Sequence, residues 1–220
     1  MTDPAGDCPW PPNVLAVFGT AYLERLRRSH PNPYRRTGVA AWLLADDPVA
    51  RARLLELDRW LGAARRNCLV TRDAMRRLKR GQVFAFLPKA LEFAALHFLE
   101  ERLGLHASPG ASADFEVKLR SGESIDVEVK APISSSPTAF RRLVHMAGKR
   151  AKRPTIVLLV STEIAPGFEA QAAARALREG RPAGTVLGVC VLRVGFAAEG
   201  ASYAHAFAPS TGSIVAESFR

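Results

Sequence analysis

The sequence predicts an α/β fold in which a mixed sheet is flanked by helices and preceded by a helical region. Three observations support this prediction. Helical patterns fill the first third of the chain, two stretches of alternating apolar residues surround residue 122, and apolar strand-like runs alternate with helical patterns after residue 137. We therefore place a basic helical region at residues 1–87 and an α/β core at residues 88–220.

Helix-start signals and apolar periodicity locate the helices of the first region. Asp47 followed by Pro48 is typical of a helix N-terminus, and apolar residues recur at helical spacing from Ala50 to Ala64. Thr37 and Thr71 are expected to cap two further helices. Besides the helix that follows Asp47, the predicted helices are Val14–Arg28, Val39–Ala45 and Arg72–Arg80.

The second region begins with an apolar helix and continues with strands that alternate with helices. Pro88–Leu103 is apolar almost all round, which is typical of a buried helix. Apolar residues then alternate from Phe115 to Leu119 and from Ile125 to Val129, and this pattern predicts a β-hairpin. The remaining predicted elements are helices at 138–150 and 168–179, strands at 155–160 and 185–194, and strand-like segments at 203–207 and 213–216.

The composition indicates a folded protein with a polyanionic partner. Of the 220 residues, 48% are hydrophobic and 24% are charged, and 31 Lys and Arg exceed 21 Asp and Glu to give a net charge of +10. Such a basic excess favours nucleic acid or an acidic membrane face as a partner. The sequence contains no dinucleotide-binding, P-loop or zinc-protease motif, so nucleotide-driven and zinc-protease activities have no support.

Cysteine usage and the N-terminus favour a cytoplasmic location. Cys8, Cys68 and Cys190 are far apart and form no C-x-x-C pair, so the sequence indicates neither a disulfide framework nor a zinc site. The first residues are acidic and rich in proline, whereas a signal peptide begins with basic residues and an apolar run. We therefore expect a cytoplasmic protein that has no membrane partner.

One face of the predicted hairpin carries charged side chains. If burial pairs Phe115 with Val129, the acidic and basic residues of both strands lie together on the opposite face. Glu116 then faces Glu128, and such a like-charge pair destabilises a hairpin unless a cation lies nearby. A solvated face with two cross-strand salt bridges is the alternative interpretation. The predicted pairs are Asp114 with Lys130, Glu116 with Glu128, and Lys118 with Asp126.

The residues of this hairpin form a recognisable pattern. It consists of Ala113-Asp114-Phe115-Glu116-Val117, then Gly122, then Ile125-Asp126-Val127-Glu128-Val129-Lys130-Ala131. The pattern resembles the core of the PD-(D/E)XK, or restriction-endonuclease-like, nuclease superfamily over residues 88–160, with Ala113 in the place of the family's proline. The resemblance implies a restriction-endonuclease-like fold and a nuclease site. In such a site Asp114, Glu128 and the backbone carbonyl of Val129 would hold a metal ion, and Glu92 and Lys130 would be the other catalytic residues.

The chemistry of phosphodiester hydrolysis suits these residue types. Mg²⁺, for which Mn²⁺ can substitute, is held by one or two carboxylates and makes a nucleophile from water. Lys130 would orient or deprotonate that water or stabilise charge on phosphorus, and the sequence leaves these roles open. Apart from Lys89 and His97, Glu92 is the only polar residue from Lys89 to Leu99, and a carboxylate there needs a partner unless it reaches solvent near the helix start.

A basic stripe of residues follows the hairpin, and it predicts contact with phosphates. The alternative interpretation is a solvated helix face. The stripe members Arg141, His145, Lys149 and Lys152 recur at helical spacing. We therefore expect a Mg²⁺-dependent nuclease that acts on nucleic acid, with DNA favoured over RNA. The alternative is a non-catalytic nucleic-acid-binding or assembly subunit of the same fold. A homodimer or a larger complex would provide the two sites that a double-strand cut needs.

Overall fold

A computed structural model divides the chain into two units. Residues 1–87 and 196–201 form the first unit, and residues 88–195 and 202–220 form the second. No helix in the described part of the chain is both long and apolar enough to cross a membrane. The structure describes residues 9–80, 83–132, 136–182, 184–210 and 214–219.

Helices build most of the first unit, as the sequence predicts. The side chain of Asp47 accepts a hydrogen bond from the backbone N–H of Ala50 at 2.7 Å, and Thr71 caps the last of these helices in the same way. Thr37 stands at the expected position but makes no capping hydrogen bond with its helix. The helices are α1 (Pro12–Phe18), α2 (Thr20–Ser29), α3 (Gly38–Leu43), α4 (Pro48–Arg66) and α5 (Arg72–Lys79), with a 3-10 turn at Pro33–Arg35.

The single helix predicted at residues 14–28 is wrong. Gly19 separates α1 from α2 and adopts a φ of +78°, a conformation that glycine takes readily because it has no Cβ. At the N-terminus of helix α1, the Asp58 carboxylate of α4 accepts a hydrogen bond from the backbone N–H of Val14 at 2.9 Å. This bond satisfies one of the N–H groups that the start of a helix leaves unpaired.

Helix α6 (Val83–Glu101) begins before the predicted start at Pro88. A proline inside a helix removes only its own N–H bond when its ring is accommodated, and Phe86 on its N-terminal side is fully buried. The apolar surface of the helix thus extends across the proline. The helix carries Lys89 and Glu92 in its first half.

A mixed sheet of six strands and two further helices follow α6. They are β1 (His106–Pro109), β2 (Phe115–Lys118), β3 (Ser124–Lys130), α7 (Pro137–Arg150), β4 (Thr155–Ser161), α8 (Glu169–Gly180), β5 (Val186–Ala197) and β6 (Gly200–Pro209). The strands lie side by side in chain order. Strands β1 to β3 pair antiparallel, whereas β3, β4 and β5 pair parallel through the crossover helices α7 and α8. The predicted α/β class, with a mixed sheet flanked by helices, is confirmed.

The strand-like segment predicted at residues 213–216 is not a strand in the described part of the chain. Ile214–Glu217 forms a 3-10 helix, and Ser213 lies outside the described residues. Val215 and Phe219 are both almost completely buried. A short apolar segment is compatible with a strand and with a helical turn, so the apolar pattern alone does not distinguish the two.

The predicted register of the β2–β3 hairpin is also wrong. Phe115 pairs with Val127, not with Val129, and Val117 pairs with Ile125. The turn is shorter than predicted, because the N–H of Leu119 donates to the carbonyl of Glu123 at 2.8 Å and Gly122 takes a φ of +92°. A shift of two residues keeps the same side chains on the apolar face, so burial does not discriminate between the two registers.

The parallel register carries the charged face of β3 toward helix α7. Glu128 pairs with Val157 of β4 and Lys130 pairs with Leu159, so these four side chains share one face of the sheet. Val157 and Leu159 belong to the apolar cluster that α7 and α8 form with β4 and β5. The polar residues Glu128 and Lys130 on β3 therefore lie beside the apolar residues of β4 that the two helices cover.

Candidate active site

The ammonium group of Lys130 lies among the acceptors of the predicted site. Its Nζ donates to Glu128 Oε1 at 2.5 Å and to the backbone carbonyl of Val129 at 3.0 Å, and it lies 3.9 Å from Asp114 Oδ2. The side chains of Glu128, Lys130 and Asp114 are 14%, 19% and 29% exposed, so each retains only limited contact with water. The structure thus brings together the three residues that the sequence pattern singles out.

Asp114 is held by the backbone of the neighbouring strand. Strand β2 begins at Phe115, opposite Val127, and offers no backbone partner to the N–H of Val129. The carboxylate of Asp114 accepts a hydrogen bond from this N–H at 2.8 Å. This bond fixes the carboxylate of Asp114 directly against β3. The backbone carbonyl of Val129 accepts a hydrogen bond from Lys130. Both polar groups of Val129 therefore belong to the candidate site.

Glu92 approaches the same site from helix α6, together with a residue that the sequence argument missed. Lys89 Nζ donates to both carboxylate oxygens of Glu92 at 2.5 Å, and the two side chains are 14% and 18% exposed. The i, i+3 spacing of Lys89 and Glu92 is the available sequence signal for this pair. Burial, and next the negative charge of Glu92, raise the pKa of Asp114 against the opposing attraction of Lys130.

The raised pKa of Asp114 predicts that its charge destabilises the metal-free fold at neutral pH. An unfolded Asp titrates near about 3.9, so above both pKa values the charged carboxylate is less favourable in the folded state. In EDTA at pH 7, Asp114→Asn should raise the thermal unfolding midpoint. The gain should vanish as the pH falls through the folded pKa and below the ordinary Asp range, where Asp114 is protonated in both states.

Asp73→Asn provides the control with the opposite sign. Asp73 is paired with Arg76 and Arg77, and its hydrogen bond with Arg76 is the main cause that lowers the pKa of Asp73. Its neutralisation should leave the midpoint at pH 7 unchanged or slightly lower. A lower midpoint for Asp114→Asn at pH 7 would contradict the predicted repulsion among the site carboxylates.

A second charged cluster lies next to the first and corrects the predicted cross-strand pairs. Glu116 faces Asp126, not Glu128, because of the shifted register. Arg153 supplies the cation that this like-charge pair needs: its Nη1 lies 2.7 Å from Glu116 Oε2 and 3.3 Å from Asp126 Oδ1. The hydrogen bond from Arg153 is also the main cause that lowers the pKa of Glu116. Asp126 is 2% exposed and accepts a further bond from Ser112.

The predicted basic stripe is exposed, but its members lie at different distances from the carboxylates. Lys152 follows the end of α7 and lines a small cavity together with Glu128. Arg141 and His145 instead line a separate cleft between α7 and α8. Lys149 is exposed on the last turn of α7. The stripe therefore extends along the helix from the neighbourhood of Glu128 to a second basic region.

The donor set suits a weakly held divalent ion rather than one enclosed by protein ligands. In the described part of the chain, no three His, Cys, Asp or Glu side chains are grouped so that together they could hold a metal. Asp114 nevertheless lies within the electrostatic range of Glu92, Lys89 and Lys130, and Glu128 contacts Lys130. These five side chains include three carboxylates and two ammonium groups. Mg²⁺ commonly uses one or two carboxylates and fills its remaining positions with water.

The chain matches no protein-family model, no curated protein and no solved structure.

Proposed function

We propose that this chain is a metal-dependent nuclease with a restriction-endonuclease-like core that hydrolyses phosphodiester bonds, in DNA rather than RNA. The observation that carries the proposal is the position of Lys130, whose ammonium group contacts Glu128 and lies 3.9 Å from Asp114. The order of elements is a second support. Helix α6 with Glu92, the antiparallel strands β1 to β3, helix α7 and parallel strand β4 follow the order that the resemblance implies.

The proposed metal site consists of the carboxylates of Asp114 and Glu128 and the backbone carbonyl of Val129. Carboxylate and carbonyl oxygens are the ligands that Mg²⁺ and Mn²⁺ accept in proteins. When bound, such an ion polarises a phosphoryl oxygen and lowers the pKa of water. The hydrogen bond from the N–H of Val129 fixes Asp114 before any ion binds, so one ligand is already oriented.

Lys130 has two roles in this proposal. Its ammonium group compensates the charge of Glu128 and lies 3.9 Å from Asp114, which keeps the two carboxylates together in a partly buried place. In the reaction, the same group stabilises negative charge that develops on the phosphate or holds the attacking water. Lys89 holds Glu92 by both oxygens, so that Glu92 supplies a fixed negative charge near Asp114.

Cleavage of nucleic acid in the presence and absence of metal tests the proposal. Supercoiled plasmid, single-stranded DNA and RNA are incubated with the protein in Mg²⁺, in Mn²⁺ and in EDTA. We expect cleavage of DNA with either metal and none in EDTA. Glu128→Gln, which keeps the shape of the side chain and removes its charge, should slow cleavage by about 10²-fold.

Glu123→Gln is the matched control, because Glu123 is exposed in the hairpin turn and should leave the rate unchanged. Binding of nucleic acid without cleavage in either metal would contradict the nuclease proposal and favour a non-catalytic subunit. Equal rates for wild type and Glu128→Gln would show that any observed cleavage does not arise from this site.

A further inference from the structure

A basic cleft lies between helices α7 and α8, and none of the site carboxylates lines it. Its volume is about 660 Å³. Four side chains of α7 form one wall, and residues at the C-terminal end of α8 form the other. The lining residues are Thr138, Arg141, Arg142, His145, Arg178, Glu179, Gly180 and Arg181.

The arginines of this cleft have no carboxylate partners among the described residues. Glu179 is the acidic residue in the lining, and its Oε1 accepts a hydrogen bond from Arg175 Nε at 2.7 Å. None of the ion pairs in the described ranges includes Arg141, Arg142, Arg178 or Arg181. Four guanidinium groups therefore line one cleft whose single lining carboxylate is already paired with Arg175, and their mutual repulsion favours the binding of an anion.

The C-terminal end of α8 packs closely against α7. A Cβ at Gly180 would lie 2.8 Å from Val144 Cγ1, so a larger residue would push the two helices apart. The next residue, Arg181, ends the helix with a φ of +42°, which is uncommon for a residue other than glycine. The close approach of α8 to α7 at Gly180 and the left-handed conformation of Arg181 together bring Arg178 and Arg181 beside the arginines of α7.

The basic stripe on α7 connects this cleft with the candidate active site. Arg141 and His145 line the cleft, Lys149 follows on the exposed side of the helix, and Lys152 lines a cavity with Glu128. From Arg141 to Lys149 a helix rises by about 12 Å. Phosphates along one strand of a duplex are about 3.4 Å apart along the axis, so this length corresponds to three or four phosphates.

We propose that the α7–α8 cleft binds backbone phosphates of a nucleic acid whose strand extends from the candidate active site along α7. This inference rests on the proposed function for its choice of nucleic acid as the ligand. Arginine suits the role because its planar fork donates to two oxygens of one phosphate. An extended polyanion, unlike a free nucleotide, engages the cleft and the stripe at the same time.

Salt-dependent binding tests the cleft separately from catalysis. Binding of a fluorescein-labelled 20-base-pair duplex to the full chain is measured by anisotropy in EDTA, where metal-dependent cleavage cannot occur, at several salt concentrations. Arg178→Gln/Arg181→Gln should weaken binding by about 10-fold at low salt and reduce the slope of log K against log salt by about 2. Lys118→Gln/Arg120→Gln removes two exposed charges from the hairpin and should change affinity less than about 2-fold.

The outcomes distinguish the possible ligands and the two proposals. Equal affinity and slope for the Arg178→Gln/Arg181→Gln variant, with an unchanged unfolding midpoint, would overturn the cleft as a nucleic-acid site. A second result would also overturn it. In this result the variant and the wild type bind the duplex equally, but inorganic phosphate at matched ionic strength raises the unfolding midpoint of the wild type more than that of the variant. If the predicted loss of affinity occurs but no metal supports cleavage, the cleft inference stands and the nuclease proposal fails.

Discussion

Replacing Lys130 by methionine is expected to slow metal-dependent DNA cleavage by about 10³-fold, within the range of about 10²–10⁴ for a positioned acid–base or charged group. The methionine keeps the unbranched apolar stem but removes the ammonium group. That group donates to Glu128 and to the carbonyl of Val129, and it lies 3.9 Å from Asp114. The measurement is the initial rate of plasmid nicking in Mg²⁺ under single-turnover conditions.

Binding separates a chemical role of Lys130 from a role in holding substrate. In EDTA the Lys130→Met variant should bind a DNA duplex within about 3-fold of the wild type, because one phosphate contact contributes little beside those of the basic stripe. Lys118→Met is the matched control, since Lys118 is exposed on the adjacent strand and should cleave at the wild-type rate. A rate for Lys130→Met within about 10-fold of the wild type would contradict the assignment, since positioned groups contribute at least about 10².

Metal affinity gives a second readout for the same variant. Removal of a positive charge beside Glu128 and Asp114 leaves their carboxylates without their nearest cation. A divalent ion that binds these carboxylates should then bind at least as tightly as in the wild type. Calorimetric titration with Mn²⁺ measures this affinity without reference to cleavage. Weaker Mn²⁺ binding in the variant would indicate that Lys130 is needed to arrange the ligands rather than for the chemical step.

Apolar alternation is sufficient to predict the hairpin and the face that carries its charged residues. It is insufficient for the register, because a shift of two residues leaves Phe115 and Val127 on the buried face. The turn decides between the two registers through the short loop at Gly122. Asp114, Glu128 and Lys130 come together in either register, since they lie at the same end of the hairpin.

The groups that orient the site were not predictable from local patterns. Arg153 follows α7, yet it pairs with Glu116 on β2, and this contact depends on the parallel pairing of β3 with β4. The N–H of Val129 becomes available to Asp114 because β2 begins at Phe115. Both contacts follow from tertiary register rather than from residue spacing, and a pattern of charges alone does not contain that information.

The α7–α8 cleft has a similar origin. The stripe on α7 is visible in the sequence as basic residues at helical spacing. Its continuation onto α8 depends on how closely the helices approach, which Gly180 permits beside Val144. The four unpaired arginines therefore become a single basic surface only when both crossover helices lie on the same face of the sheet.

Loss of the ion pair between Arg193 and Glu169 should have the largest effect on stability. Arg193 Nε, on β5, donates to Glu169 Oε1 at the start of α8 at 2.5 Å, and the two side chains are 16% and 9% exposed. Burial is the largest single influence and by itself would raise the pKa of Glu169, but the hydrogen bond and charge of Arg193 together with backbone hydrogen bonds from Glu169 and Gly167 outweigh it, so the pKa is lowered. Arg193→Met leaves a buried carboxylate without its cationic partner and should reduce the free energy of unfolding by about 3 kcal/mol.

The pH dependence and two further variants distinguish this cause from a packing defect. The lowered pKa of Glu169 stabilises the wild type above the ordinary Glu range, and this contribution is lost as the pH falls through the folded pKa. The difference in the free energy of unfolding between wild type and Arg193→Met, measured by urea unfolding, should therefore be larger at pH 7 than at pH 4.

Glu169→Gln/Arg193→Met should recover part of the loss, because no buried charge remains. Arg175→Met, which breaks the exposed pair with Glu179, should cost less than about 0.5 kcal/mol. A pH-independent difference, or no recovery in the double variant, would assign the loss to packing around Arg193 instead of to the charge of Glu169.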